Sequence, residues 1–130
     1  MASADPRVFQ VTLTAGADLS AKQHLFVKLD SNGAVVPCAG ITDIPVGVLQ
    51  NNPASGQAAS VLVIGVTKLQ SNGSVAIGDV LGTSSDAQAD TIAPGTDTTV
   101  YAVGRALTAG TTAGDVFTAL IDCASPSRAA

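Results

Sequence analysis

Residues 28–35 read Lys-Leu-Asp-Ser-Asn-Gly-Ala-Val, and residues 68–75 read Lys-Leu-Gln-Ser-Asn-Gly-Ser-Val. An Asn-Gly pair between apolar segments is typical of a β-hairpin, because both residues tolerate the positive φ angles of tight turns. The repetition of this stretch predicts a chain built from hairpins rather than from helices.

The repeated stretch also predicts a strand register. If the glycine of each copy takes the left-handed position of a three-residue bulged turn, the leucine at the second position faces the valine at the eighth. The resulting pairs are Leu29 with Val35 and Leu69 with Val75. A two-residue turn would instead pair these leucines with Val36 and Ala76. We favour the first register because it gives the larger apolar pair in both copies.

The composition favours strands and turns over helices. Charged residues make up 12% of the chain, and all ten acidic residues are Asp, so the helix-favouring Glu is absent. Gly, Thr, Ser and Val are plentiful, and apolar residues make up 46%, which rules out a disordered chain. We therefore predict an all-β fold, a small β-barrel or β-sandwich built from hairpins, with at most a short helical turn.

The charge pattern bears on the partners of the chain. The net charge is −4 and no Lys/Arg cluster is present, so binding to nucleic acid through phosphates is not expected. No apolar run reaches the roughly 18–20 residues that a membrane span needs, so no membrane partner is expected. A surface with so few charges suggests that other copies of the chain, or a partner, cover much of it.

The predicted organisation is a single β-domain over residues 8–122. A flexible arm at residues 1–7 precedes it, and a loose tail at residues 123–130 follows it. The arm has no apolar core of a secretory signal, so we expect no Sec-type export. The pattern leaves room for one helical turn near residues 18–23 or 111–115.

Several strands and a weaker duplication can be recognised within the domain. Alternation over residues 8–14 predicts a half-buried strand, and the apolar run 61–64 predicts a strand buried on both faces. Gly78-Asp-Val-Leu81 recurs as Gly114-Asp-Val-Phe117, and residues 46–49 resemble residues 103–107. We expect each Gly-Asp pair to form a turn that enters a strand, with the Asp side chain bonding local backbone amides.

The sequence contains no recognisable catalytic set. The single histidine, His24, has no identifiable orienting partner, which a general base would need. Cys38 and Cys123 have neither CxxC spacing nor histidine partners, and we expect two reduced, partly buried thiols. The sequence is also compatible with a disulfide between them. We predict a protein that is not an enzyme and has no cofactor and no small-molecule substrate.

The carboxylates do not form a metal-binding motif. Residues 30–33 superficially resemble a calcium loop, but they lack the alternating ligands and the final Glu of such a loop. Gln70 stands at the place of Asp30 in the second copy, which favours a turn role for Asp30. Asp86 and Asp90 are expected to be solvated, and we predict no metal site.

The order of motifs along residues 8–122 resembles that of the capsid decoration, or cement, proteins of tailed bacteriophages. The motifs that carry the resemblance are residues 25–29 with the Asn-Gly turn, residues 45–53, Gly56, residues 63–66, residues 78–81 and residues 103–107.

The resemblance implies a non-enzymatic, β-rich protein that binds the outer surface of a phage head. Such proteins often form trimers at three-fold or quasi-three-fold positions and clamp neighbouring major capsid subunits after the shell expands. The implied partners are therefore the major capsid protein and two further copies of the chain. The implied location is the outer capsid surface of the virion, after synthesis in the cytoplasm of the bacterial host.

The N-terminal segment is our first candidate for the capsid contact. An extended arm can add a strand to the edge of a partner's sheet. A terminus without any function is the alternative. The candidate contact residues are Ala2, Ser3, Asp5, Pro6, Arg7, Phe9 and Val11.

Two other classes of protein stay open. The composition equally allows another virion part, such as the base of a head fibre or a tail subunit. The Gly-Asp-Val-Leu motif also resembles the flattened barrels that carry biotin or lipoate. Such carriers present a lysine at a hairpin tip, whereas Lys28 and Lys68 flank the Asn-Gly turns.

Overall fold

The computed structural model describes residues 9–129, and within that range it shows eleven β-strands and no helix. The prediction of an all-β fold is confirmed, and the strands close into barrels. The strands are β1 (Phe9–Thr14), β2 (Phe26–Leu29), β3 (Val35–Pro37), β4 (Gly47–Leu49), β5 (Ala58–Asn72), β6 (Val80–Thr83), β7 (Ala89–Thr91), β8 (Tyr101–Ala102), β9 (Gly104–Ala106), β10 (Ala113–Asp122) and β11 (Ser127–Arg128).

The long strand β5 belongs to two five-stranded barrels. Its N-terminal half pairs with β1 and β4, β4 pairs with β2, β2 pairs with β3, and a bridge from Ala15 to Val35 closes the ring. Its C-terminal half pairs with β10 and β7, and the order β10–β9–β6–β7 closes a second ring. We call these rings the first barrel and the second barrel. Closure pairs the edges that an open sheet would expose.

The hairpin predicted from residues 28–35 is confirmed. Leu29 pairs with Val35 across β2 and β3. The Asp30 amide donates to the Ala34 carbonyl at 2.8 Å, which leaves three residues in the loop. Gly33 has a φ of 77°, the left-handed conformation that glycine adopts without a steric penalty. The three-residue register is therefore correct for this copy.

The second predicted hairpin is wrong. Residues 68–72 continue β5 instead of turning back, and Leu69 pairs with Phe117 of β10 rather than with Val75. Val75 forms an isolated bridge with Gly110. The Asn-Gly signal describes only local turn preference, whereas the pairing of β5 with β10 buries apolar residues from distant parts of the chain.

The structural twin of the first turn is the segment Ser84–Gln88. The Ser84 amide donates to the Gln88 carbonyl at 2.8 Å, and Ala87 takes the left-handed place of Gly33 with a φ of 65°. The Ser84 hydroxyl accepts hydrogen bonds from the amides of Asp86 and Gln88. The Asp30 carboxylate does the same for Asn32 and Ala34, so an oxygen at the first position caps both turns.

This twin turn is part of a duplication that covers both barrels. The antiparallel pairs β2–β3, β2–β4 and β4–β5 recur as β6–β7, β6–β9 and β9–β10. The parallel bridge of Ala15 with Val35 recurs as the pairing of Ser71 with Ala89. The C-terminal half of β5 therefore takes the place of β1 in the second barrel.

The similarity of residues 46–49 to residues 103–107 lies at corresponding positions of this duplication. Gly47 begins β4 and Gly104 begins β9. A Cβ atom on Gly104 would lie 2.8 Å from the Leu120 carbonyl oxygen, and one on Gly47 would collide with the Leu62 carbonyl oxygen. Both strands need glycine because the facing backbone approaches so closely.

The two Gly-Asp turns have the predicted geometry. Gly78 and Gly114 both have a φ of 88°. The Asp79 carboxylate accepts the amide of Ala76, and the Asp115 carboxylate accepts the amides of Thr111 and Thr112. The two turns nevertheless lie at different places in the duplication, since the hydrogen bonds match Gly78 with His24 and Gly114 with Gly56.

Each barrel has its own apolar interior. The first barrel is filled by Ala15, Leu19, Val27, Val35, Leu49, Ala59 and Val61. At corresponding positions of the second barrel, Phe117 replaces Ala59 while Ala119 replaces Val61. A gain of volume at one position is thus offset by a loss at its neighbour, as dense packing requires.

The predicted strands near both ends of the domain are present. β1 has half-buried Val11 and Leu13 facing inward. In β5, Val61–Val63 are buried but Ile64 is 39% exposed, so the predicted burial of residues 61–64 is wrong at its last residue. The segment 123–129, which lies in the predicted tail, contains β11 paired with β8, and Ala129 is buried. The predicted arm at residues 1–7 lies outside the described residues.

Candidate interaction surfaces

His24 has a structural position between the two barrels. Its φ of 66° matches the turn that Gly78 makes in the second barrel, and its amide donates to the Leu49 carbonyl at 2.8 Å. The Nδ1 atom is buried without a hydrogen-bond partner. Burial, and then the nearby Lys68 charge, lower the pKa of the imidazole. A neutral imidazole without an orienting acceptor does not form a general-base pair.

Both cysteines are buried as free thiols. Burial raises the pKa of the Cys38 thiol to about 12 and that of the Cys123 thiol to about 12. Since the thiolate is the reactive form, neither side chain has the character of a nucleophile.

The carboxylates of several Asp residues bond backbone amides of turns. The Asp43 carboxylate accepts the amides of Ala39 and Gly40 and the Lys28 ammonium group at 2.8 Å. The ammonium hydrogen bond and the amide of Ala39 hold the pKa of Asp43 below its usual value. Across residues 9–129, no three His, Cys, Asp or Glu side chains come close enough to hold a metal ion.

Large apolar side chains lie on the surface of the protein. Among residues 9–129, ten of them are exposed, and these are the features that a partner could bury. They are Phe9, Leu29, Ile41, Ile44, Ile64, Val66, Ile77, Leu107, Val116 and Leu120.

A group of these side chains lines one groove on the second barrel. We call it the second-barrel groove, and its volume is about 350 Å³. The Arg105 Nε donates to the Gly78 carbonyl at 3.0 Å, which holds the guanidinium group beside the apolar floor. Leu120 pairs with both Arg105 and Val66, so the apolar surface continues onto β5. The lining residues are Ile77, Gly78, Arg105, Ala106, Leu107 and Leu120.

The structure places two of the residues predicted to contact a capsid. Phe9 is exposed at the start of β1, opposite Ile64 of β5. Val11 is half-buried and packs against the interior. The remaining candidates, Ala2, Ser3, Asp5, Pro6 and Arg7, lie outside the described residues.

The second-barrel groove was missed by sequence reasoning. Its residues lie on or beside β9 and β10 and in the turn before β6, and both faces of β10 carry apolar residues. A strand that is apolar on both faces signals burial on both sides. The exposure of Leu107 and Leu120 shows that one side has no cover within the described part of the chain.

No helix long and apolar enough to cross a membrane occurs in residues 9–129. No protein-family model matches the chain, and no curated protein matches it either.

Among solved structures, the chain is similar to the N base of the head fibre protein gp8.5 of bacteriophage phi29. The TM-score is 0.63 at 19% sequence identity, and the match covers 93% of this chain and 97% of that chain. At this identity the likeness establishes a shared fold. The match extends over nearly the whole of both chains.

Proposed function

We propose that this chain is a structural protein of a phage virion that decorates the outside of the head. The observation that carries the proposal is the fold shared with the phi29 head fibre base over 93% of this chain. The motif order that resembles cement proteins supports the same assignment from the sequence side. The proposed partner is the major capsid protein, and the proposed location is the outer capsid surface.

The surface has properties that suit this role. Charged residues are scarce, so burying the surface against a shell costs little desolvation free energy. The exposed apolar side chains supply area that a free monomer would leave in water. Modest contacts repeated over a symmetric shell add up through avidity, so no single deep pocket is needed.

Self-association belongs to the same proposal. A homotrimer would bury part of the exposed apolar surface and would match a three-fold position on a shell. Light scattering on the purified protein tests this part, with a mass of three chains as the expected result. A mass of one chain at high concentration would contradict it.

Cosedimentation with expanded capsids that lack the protein tests the binding to the shell. We expect saturable binding at a fixed ratio to the capsid protein. Unexpanded shells are the matched control, and we expect them to bind less because the clamp acts after expansion. The proposal is abandoned if expanded shells do not bind the protein at any concentration.

The N-terminal arm is the proposed capsid contact. Deleting residues 2–7 should weaken binding to shells and leave the melting temperature unchanged. A variant in which these residues are replaced by a Gly/Ser stretch of equal length separates the loss of side chains from the loss of length. Unchanged occupancy on shells for both variants would exclude the arm and leave Phe9 and Val11 on β1 as the remaining candidates.

The base of a head fibre is the second candidate function, and the phi29 neighbour favours it directly. Electron microscopy of virions distinguishes the two functions. A decoration protein shows as a low protrusion on the shell, whereas a fibre base carries a long projection at the same place.

The carrier-domain alternative has no support in the site geometry. Lys28 is paired with Asp43, and Lys68 lies within β5 rather than at a turn tip. We do not propose it.

A further inference from the structure

The two barrels meet through a face of the first barrel that we call the docking face. The Phe26 amide donates to the Ala87 carbonyl at 2.8 Å. The Gln70 amide donates to the His24 carbonyl and the Gln70 side chain to the Gln23 carbonyl, both at 2.9 Å. The interface within one chain therefore combines backbone and side-chain hydrogen bonds along one edge of the first barrel.

The second barrel has its own copy of the docking face, and this copy is the second-barrel groove. The hydrogen bond from the His24 amide to the Leu49 carbonyl recurs as the bond from the Gly78 amide to the Ala106 carbonyl. This equivalence shows which residues of the two barrels correspond. Leu62 is 2% exposed in the docking face, whereas its counterpart Leu120 is 45% exposed. The corresponding pairs are Gln23 with Ile77, Gln50 with Leu107, and Leu62 with Leu120.

Within the chain, the docking face of the first barrel is covered by a surface of the second barrel that we call the receiving face. It is formed by Thr67, Gln70, Thr83 and Ala87. The first barrel has an equivalent surface, which is not covered. The counterparts on the first barrel are Val11, Thr14, Leu29 and Gly33. Thr83 is 1% exposed, whereas Leu29 is 50% exposed. The chain therefore exposes one docking face and one receiving face.

The two uncovered faces match each other in polarity. Within the chain, the side-chain Nε2 of Gln50 donates to the Thr67 hydroxyl at 2.9 Å. The counterparts of this polar pair are Leu107 and Val11, which are both apolar. A polar pair that becomes apolar on both sides at once retains its complementarity, because neither partner leaves a buried polar group unpaired.

We propose that the second-barrel groove of one copy binds the uncovered receiving face of a second copy of this chain. The contact between chains repeats the contact that joins the two barrels within a chain, with the Val80 amide donating to the Gly33 carbonyl. Because different faces meet, the interface is heterologous and builds a closed ring or a filament. The inference rests on the proposed self-association and adds the residues that make it.

A mixing experiment with two variants tests the head-to-tail contact. Leu107→Lys places a charge in the groove, and Leu29→Lys places one in the receiving face. Each variant retains one intact face, so each alone should have the mass of a single chain in light scattering. An equal mixture should form a complex of two chains, because the intact groove of one variant binds the intact receiving face of the other. Two lysines cannot restore the contact by forming an ion pair.

Val116→Lys is the matched control, since Val116 is 53% exposed on the second barrel but does not line the groove. This variant should assemble as the unaltered chain does. Circular dichroism checks that all three variants stay folded, which their exposed positions favour. Leu29→Thr introduces, at a position that is 50% exposed, the residue that the covered copy has at Thr83. It should weaken assembly without adding charge, and it serves if a lysine variant unfolds.

Three results would overturn the proposal. An unaltered chain that stays single at high concentration excludes the contact outright. Loss of assembly in Leu107→Lys alone, with Leu29→Lys unaffected, indicates that grooves bind each other. Failure of the mixture to form a two-chain complex excludes head-to-tail binding. The mixing experiment contains no shells, so its failure is distinguishable from failure of the proposed function. The protein can bind expanded capsids without self-assembling, and it can self-assemble without binding capsids.

Discussion

The first and second barrels have the same strand pairing, yet they expose opposite faces. Leu62 is covered in the first barrel and its counterpart Leu120 is open, while Thr83 is covered in the second barrel and its counterpart Leu29 is open. Backbone pairing is therefore the same in both barrels wherever it closes a ring of strands. Side-chain character instead follows what covers each face.

The two equivalent turns also share their backbone hydrogen bonds while differing in their side chains. Asp30 and Ser84 cap equivalent turns with side-chain oxygens, although only the first turn contains Asn-Gly. Ala87 adopts a φ of 65° in the second turn, where burial among the barrel contacts offsets the strain of the left-handed conformation. Both turns therefore need a capping oxygen. The left-handed φ angle is adopted by glycine in one turn and by a buried alanine in the other.

Phe117→Ala should have the largest effect, because it removes the ring that distinguishes the second interior from the first. Phe117 is 3% exposed, so we expect a loss of about 3–5 kcal/mol in the free energy of unfolding. Urea denaturation measures it, with Val116→Ala at the neighbouring exposed position as control, expected within about 0.5 kcal/mol. Because β5 belongs to both barrels, the transition should stay single. Separate transitions for the two barrels would show that β5 does not couple them.

Gly47→Ala and Gly104→Ala compare the close approaches in the two barrels. The new methyl group meets backbone in both cases, and the first site is tighter. We expect a loss of about 3 kcal/mol for Gly47→Ala and a smaller loss, about 1–2 kcal/mol, for Gly104→Ala. Urea midpoints measure both. Gly40→Ala, where the nearest atom is 3.8 Å away, is the control. Equal midpoints for all three variants would refute the steric account.

Asp30→Ala and Ser84→Ala test the shared turn cap. Each change leaves two backbone amides without their side-chain acceptor, so we expect a loss of about 1 kcal/mol for each. Hydrogen exchange should speed up at Ala34 in the first variant and at Gln88 in the second. Faster exchange throughout the barrel, instead of at the turn, would show that the oxygen supports more than its own turn.

Acidic pH should have the smallest effect on the stability of the fold. Asp115 and Gln57 occupy the same turn position in the two barrels, and both accept an amide three residues back. The amide of Thr112, followed by the Thr111 hydroxyl, holds the pKa of Asp115 well below its usual value. The stabilisation is therefore complete above the unfolded value of 3.8 and is lost as the pH falls below it.

Melting temperatures from pH 7 to pH 2 measure this contribution. Asp115→Asn should melt below the unaltered chain at neutral pH, and the difference should shrink as the pH falls below about 4. Gln57→Glu should install a similar pH dependence in the first barrel. A difference that stays constant over the whole range would mean that ionisation of Asp115 contributes nothing.

Local sequence features were sufficient for the fold class and for one turn. The alternation predicted over residues 8–14, the apolar run 61–64 and the Asn-Gly turn at 32–33 each depend on neighbours within a few residues. Both thiols are free and buried, whereas the sequence led us to expect only partial burial. The second Asn-Gly copy failed because a turn preference is weak beside the long pairing of β5 with β10.

Composition and short-range periodicity act residue by residue, and they were enough to predict a chain that is all-β, poor in charge and rich in apolar residues. The equivalence of particular residues emerged from the folded structure. The folded structure matched Ser84–Gln88 to the Asp30 turn and Leu120 to Leu62, although their sequences share little. The physical reason is that strand pairing joins backbones, whose hydrogen bonds carry no record of the side chains that accompany them.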